Sequence, residues 1–248
     1  MIYIATHKKF QNINMENYCP IQVGAAGKEK LGYLTDDTGD NISLKNPNYC
    51  ELTGLYWIWK NTHDSYKGLV HYRRYFGKSN FSNKVKDIYL YDEMLRFLND
   101  YDIVLPYIEV FKQNAKEEIL VSCCTPEIFD QLRNIIVSDY PEYLKDFDDF
   151  FSQKRACLFN MMFTRREIFD DYCSWLFSIL FKLEERVDLS QLNDYQKRLY
   201  GFLSERLLNV WVKHKDLKAK HVSIINTEDN IKDNILRTLR RYKHNIKK

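Results

Sequence analysis

No Cys-x-x-Cys occurs among the six cysteines, which stand at 19, 50, 123, 124, 157 and 173, and no histidine pair stands at metal-ligand spacing. The usual signatures of a structural zinc site are therefore missing. Adjacent Cys123 and Cys124 make a poor disulfide framework, so the expected state is reduced thiols in a cytoplasmic protein. No stretch reaches the roughly 18 uninterrupted apolar residues of a membrane span. The opening Met1-Ile2-Tyr3-Ile4-Ala5-Thr6-His7-Lys8-Lys9 lacks the basic-then-apolar order of a signal peptide. Any work at a membrane is expected from its surface. Excess charge of one sign is also absent. The 37 basic and 34 acidic residues leave +3, which disfavours a dedicated nucleic-acid binder. Neither an internal repeat nor a low-complexity linker interrupts the chain.

What is present is a chain of 248 residues, 45% hydrophobic, long enough for one large domain with an appendage. Aromatic residues make up 15%, and rings with a polar tip suit flat polar ligands such as sugars and bases. Short apolar runs at residues 2–5, 20–26, 68–76, 101–106, 158–164 and 222–226 predict strands. Helices are predicted from Pro47 onward and over 91–99, 125–137, 165–187 and 199–213, with a further one opening at Pro141. Residues 35–41 carry turn chemistry. Strands that alternate with helices predict an α/β class with a mostly parallel, Rossmann-type sheet flanked by helices.

The run Lys67-Gly68-Leu69-Val70-His71-Tyr72-Arg73-Arg74-Tyr75-Phe76 carries the most chemistry. It opens as a buried strand and then places a histidine and two arginines where the strand would leave the sheet. Buried arginine needs an anionic partner. Ligands of open α/β sheets sit at the carboxyl ends of strands, so the run reads as a diphosphate clamp. As one continuous strand it would put His71 and Arg73 on one face and Tyr72 and Arg74 on the other. The competing reading is a surface strand end with its arginines paired to nearby acids.

Residues 231–248 read as a basic amphipathic tail that follows a domain of residues 1–230. They hold seven basic residues against Asp233, with Ile235, Leu236, Leu239 and Tyr242 at helical spacing. Such a segment predicts salt-sensitive contact with an anionic membrane or, equally, a solvated charged terminus.

Several runs resemble a known family. They are Ile4-Ala5-Thr6-His7-Lys8, Pro20-Ile21-Gln22-Val23-Gly24-Ala25, Asp36-Asp37-Thr38-Gly39-Asp40-Asn41, Asn46-Pro47-Asn48-Tyr49-Cys50-Glu51-Leu52, His71-Tyr72-Arg73-Arg74-Tyr75-Phe76, Phe159-Asn160-Met161 and Ser204-Glu205-Arg206-Leu207. Together they are similar to the bacterial capsular and exopolysaccharide glycosyltransferases long catalogued as a domain of unknown function. The segment from about residue 107 to 124 departs from the histidine-containing polar loop that the family has there.

The resemblance implies a GT-A-like fold and transfer of a sugar from a nucleotide donor, UDP-linked galactose or galactofuranose, to a growing lipid-linked saccharide. It places the protein at the inner face of the cell membrane. Most GT-A enzymes hold a divalent metal with an Asp-x-Asp pair. Here the corresponding strand end reads His71-Tyr72-Arg73-Arg74, so fixed cations are expected to neutralise the leaving diphosphate, with no cofactor. Manganese on Asp36, Asp37 and Asp40 is the alternative, though acids around Gly39 are more often turn caps. The donor is expected to meet Thr6, His7, Lys8, Asp36, Asp37, Asn48, Glu51, His71, Arg73, Arg74 and Asn160. Asn160 is otherwise a hydrogen-bonded core residue. Glu205, with His71, is expected to be catalytic, as the base that takes the acceptor proton if the sugar inverts. The competing view is an exposed glutamate pairing Arg198 or Arg206. In another class, a catalytically silent nucleotide-sugar-binding or scaffold subunit of an assembly complex fits the missing acidic motif.

Overall fold

The computed structural model describes residues 1–229; the basic tail read at 231–248 lies outside them. β1 (Ile2–Thr6) is buried along its whole length, with Ile2 and Ile4 turned to one face of the sheet and Tyr3 and Ala5 to the other. β2 (Tyr18–Gln22) and β3 (Leu34–Thr35) follow. The helix expected from Pro47 is two, α1 (Asn46–Tyr49) and α2 (Leu52–Asn61). Cys50 breaks it with φ +53°, and the Asn46 amide braces the break by donating to the Cys50 carbonyl and Thr53 Oγ1. The predicted strand at 68–76 is also two, β4 (Tyr66–His71) and β5 (Arg74–Gly77), which face each other at His71 and Arg74. The chain therefore reverses over Tyr72 and Arg73. The alternation expected for His71 and Arg73 does not hold, because His71 ends β4 and Arg73 lies in the turn.

α3 (Tyr91–Phe97), β6 (Ile103–Pro106) and β7 (Ile108–Val110) lead to α4 (Ala115–Ser122). α5 (Pro126–Asp139) shows its sequence logic plainly. Thr125 caps it by accepting from the Ile128 N–H, Pro126 opens it, and Ile128, Leu132, Ile135 and Ile136 are buried at helical spacing. α6 (Leu144–Ser152), β8 (Arg155–Cys157), β9 (Met162–Arg165), α7 (Arg166–Glu184), α8 (Leu199–His214) and β10 (Ala219–Asn226) complete the described chain. The strand expected at 158–164 begins only at Met162, because Phe159 and Asn160 take the left-handed conformation at φ +80° and +50°.

The main sheet is mixed, which corrects the mostly parallel expectation. β1 pairs in parallel with β2 and β4, β2 with β3, and β6 with β10. β5 runs antiparallel to β10, and β9 antiparallel between β4 and β6. The approach of β9 explains Gly68, where a Cβ would meet the Phe163 ring at 2.9 Å and the Met162 carbonyl at 3.0 Å. One face of the sheet packs on α2 and α5–α8 and the other on α3, each over a continuous apolar cluster. Among the described residues no helix is long and apolar enough to cross a membrane.

Candidate active site

At the carboxyl ends of β1 and β4 lies a cavity of about 660 Å³. Size and position suit a ligand of nucleotide dimensions. Of the expected residues, the structure brings Thr6, His7, Glu51, His71, Arg73, Arg74 and Glu205 to its wall. The β4–β5 reversal is what gathers the four consecutive residues His71, Tyr72, Arg73 and Arg74 there.

The remaining expected residues stand elsewhere. Asp36 is fully buried and spends its carboxylate on the N–H groups of Gly24 and Ala25 and on Ser43 Oγ. Asp37 pairs with Lys30, and Asp40 accepts from the Tyr56 hydroxyl. Each of these acids fastens a turn. Among the described residues no group of three His, Cys, Asp or Glu could hold a metal ion, so the three aspartates do not fit the manganese site weighed for them. Asn48 donates to the Lys197 carbonyl and ties α1 to the start of α8. Lys8 lies beside the cavity, 4.9 Å from the Tyr72 ring centroid and 3.2 Å from Glu228. Asn160 is buried behind the wall, against Glu51 and Ser204.

The electrostatics differ within the cavity. Burial holds His7 below its ordinary value, and Lys8, Arg73, Lys28 and Arg198 all push it further the same way. This mouth is thus positive in potential. Arg73 makes a 3.5 Å contact with Glu228 at the surface, and the Arg74 guanidinium lies 5.0 Å from the Phe159 ring centroid. His71 is also pushed down, chiefly by burial, against the pull of Glu51, whose Oε1 is 4.0 Å from its Nε2. It enters the site as a neutral imidazole rather than a third cation. Among the described residues its Nε2 has no hydrogen-bond partner.

Glu205 is 15% exposed, not the open surface residue of the competing view, although it does pair with Arg206 at 2.7 Å. Its other oxygen accepts from the Phe159 N–H at 2.9 Å. Burial pushes the carboxyl up to about 7, with Glu51 adding to the rise and Arg206 and Arg74 opposing it. A carboxyl poised near neutrality in a cavity is what a general base requires. Arg206 itself is 4% exposed and lies between Glu205 and Glu118, at 2.6 Å from the latter.

Sequence reasoning gave no role to Glu118, Tyr195 or Phe202 and weighed Arg198 only as an ion-pair partner of Glu205; all four line the cavity. A signal for two of them was available. Arg198, Phe202 and Arg206 recur at spacing four along α8 and its start, next to the stripe of Leu199, Leu203, Leu207 and Val210 that faces the core. Glu118 offered none, being one acid in the charged stretch Lys116-Glu117-Glu118.

Fold and cavity together define a mixed α/β protein with a polar cavity at strand carboxyl ends. The chain belongs to the family described as Domain of unknown function (DUF4422), whose model matches residues 1–216. Among solved structures it is similar to the apo structure of the bifunctional glycosyltransferase WbbM, with 31% identity and a TM-score of 0.84. The likeness covers 92% of this chain and 45% of that one, so the chain spans less than half the length of that protein. No curated protein matches.

Proposed function

We propose that the chain is a glycosyltransferase that moves a sugar from a nucleotide diphosphate donor to a saccharide hydroxyl. The observation that supports this best is one cavity holding both a cationic mouth and a near-neutral carboxyl, Glu205. In this reading Arg73 and Arg74 hold the diphosphate, and the bond between the sugar's anomeric carbon and the phosphate oxygen breaks as the guanidinium charges stabilise the leaving group. The acceptor oxygen bonds to the opposite face of that carbon, and its proton passes to Glu205. The outcome is inversion. No metal is needed for the diphosphate. A UDP-linked galactose or galactofuranose donor, and a lipid-linked acceptor, rest on the family resemblance alone.

The test is release of nucleoside diphosphate from a panel of nucleotide-sugars by purified protein, with and without a chelator. Slow release that survives chelation is expected. Binding without release would favour the silent-subunit alternative, and turnover lost to chelator and restored by manganese would overturn metal independence.

The raised carboxyl sets the sign of the pH dependence. As pH rises through about 7, Glu205 passes from the protonated form, which cannot accept a proton, to the base form. Accordingly kcat/KM should climb with pH by about tenfold per unit below the midpoint and level off above it. A rate that is flat from pH 5 to about 8 would take Glu205 out of the base role.

A further inference from the structure

Asn160 is 2% exposed and shares the left-handed region with Phe159. For a bulky residue such as Phe that conformation is strained and persists only where the surroundings hold it. One turn of α8 provides the hold. Ser204 Oγ donates to Asn160 Oδ1 at 2.7 Å, and Asn160 Nδ2 donates to the Gly201 carbonyl at 2.9 Å. The same Nδ2 donates to Glu51 Oε1 at 2.7 Å. One residue earlier, the Phe159 N–H goes to Glu205 Oε1. A two-residue turn thus grips two cavity carboxylates, one at the start of α2 and one on α8. Both amide hydrogens of Asn160 are engaged, one on Glu51 and one on the Gly201 carbonyl.

We infer that Asn160 is a positioning residue that holds Glu51 and Glu205 as one carboxylate pair, in which Glu51 acts on Glu205 through its charge. What the pair does rests on the glycosyltransferase reading; that the pair exists rests on the geometry. The groups that face Glu205 are Arg206, with Glu118 behind it, Arg74, Glu51, Tyr172, and the thiols of Cys50, Cys123 and Cys157. Glu51 itself is held by the uncharged Asn160 amide and stands beside the neutral His71, with Arg198 the cation whose field reaches it. Fixed at the wall, it strengthens Glu205 as a proton acceptor.

The test is carboxyl carbon NMR titration of wild type, Glu51→Gln and Asn160→Asp, with Tm and the pH profile of turnover measured alongside. Loss of a signal in Glu205→Gln assigns the resonance. The Glu51→Gln side chain keeps an oxygen for the Asn160 amide and loses only the charge, so Tm should hold while the Glu205 midpoint falls by about 0.5 unit or more. The Asn160→Asp variant can keep the left-handed turn but sets a second carboxyl beside Glu51, so the midpoint should rise. The acid limb of the activity profile should follow each shift. An unchanged midpoint in both variants, with only Tm altered, would overturn the inference and leave Asn160 a structural residue. If Asn160→Asp does not fold, Glu51→Gln decides alone. Absence of wild-type turnover on every nucleotide-sugar would overturn the transferase reading, while the titration would still decide the pair.

Discussion

Glu205→Gln is expected to lose sugar transfer by roughly 10²–10⁴-fold, the range for removal of a general base, while donor binding stays at the wild-type level. The substitution is nearly isosteric. Its carbonyl oxygen can still accept from the Phe159 N–H, and Arg206 keeps its 2.6 Å partner Glu118. What disappears is an oxygen able to take a proton. Single-turnover transfer measured beside calorimetric donor binding separates the two effects. Transfer within a few-fold of wild type would return Glu205 to being the partner of a buried arginine and nothing more.

The second large effect is expected at the cavity mouth. Arg73→Ala and Arg74→Ala should each weaken donor binding by about 2 kcal/mol, near 30-fold, as befits loss of a charge-assisted contact to phosphate. Arg73 is the cleaner of the two. Its ion pair with Glu228 is long and exposed and adds little to stability, so the fold should not register its removal. Arg74 packs over Phe159, and its loss also disturbs the turn that holds Glu205. Titration calorimetry with UDP and with UDP-hexoses reads the change. Unchanged affinity in both variants would sink the clamp.

Much of the fold was legible because its elements obey local rules. β1 is a β-branched run, α5 carries its cap and its proline, and α8 shows one apolar stripe. The misses share one physical cause. The reversal at Tyr72 and Arg73 uses none of the glycine, proline or asparagine that marks a turn, so a hairpin read as one strand. Likewise Phe159 adopts φ +80° inside an apolar run, and only the neighbouring Asn160, a residue type tolerant of the left-handed region, hinted that the strand starts later. In both places the surrounding packing overrides local preference. The parallel sheet was inferred from alternation of strands and helices, a rule that does not anticipate β9 entering backwards between β4 and β6.

The site was legible where charge sits against its context. Two arginines at the end of an apolar strand, and a polar asparagine after Phe159, stood out for that reason. The acids Asp36, Asp37 and Asp40 stood out as well, but their spacing around Gly39 serves turn formation. The ion pair of Glu118 with Arg206 was hidden because a buried contact between distant helices has no local signature. His71 shows the limit of residue type alone: the sequence leaves its charge open, and burial in the fold favours the neutral imidazole.

The most direct measurement is a crystal structure of the protein with UDP bound. A diphosphate seated in the cavity against the Arg73 or Arg74 guanidinium, with the space beside Glu205 left open for a sugar and its acceptor, is the expected result. Nucleotide bound outside this cavity, or a diphosphate that contacts neither arginine, would contradict it.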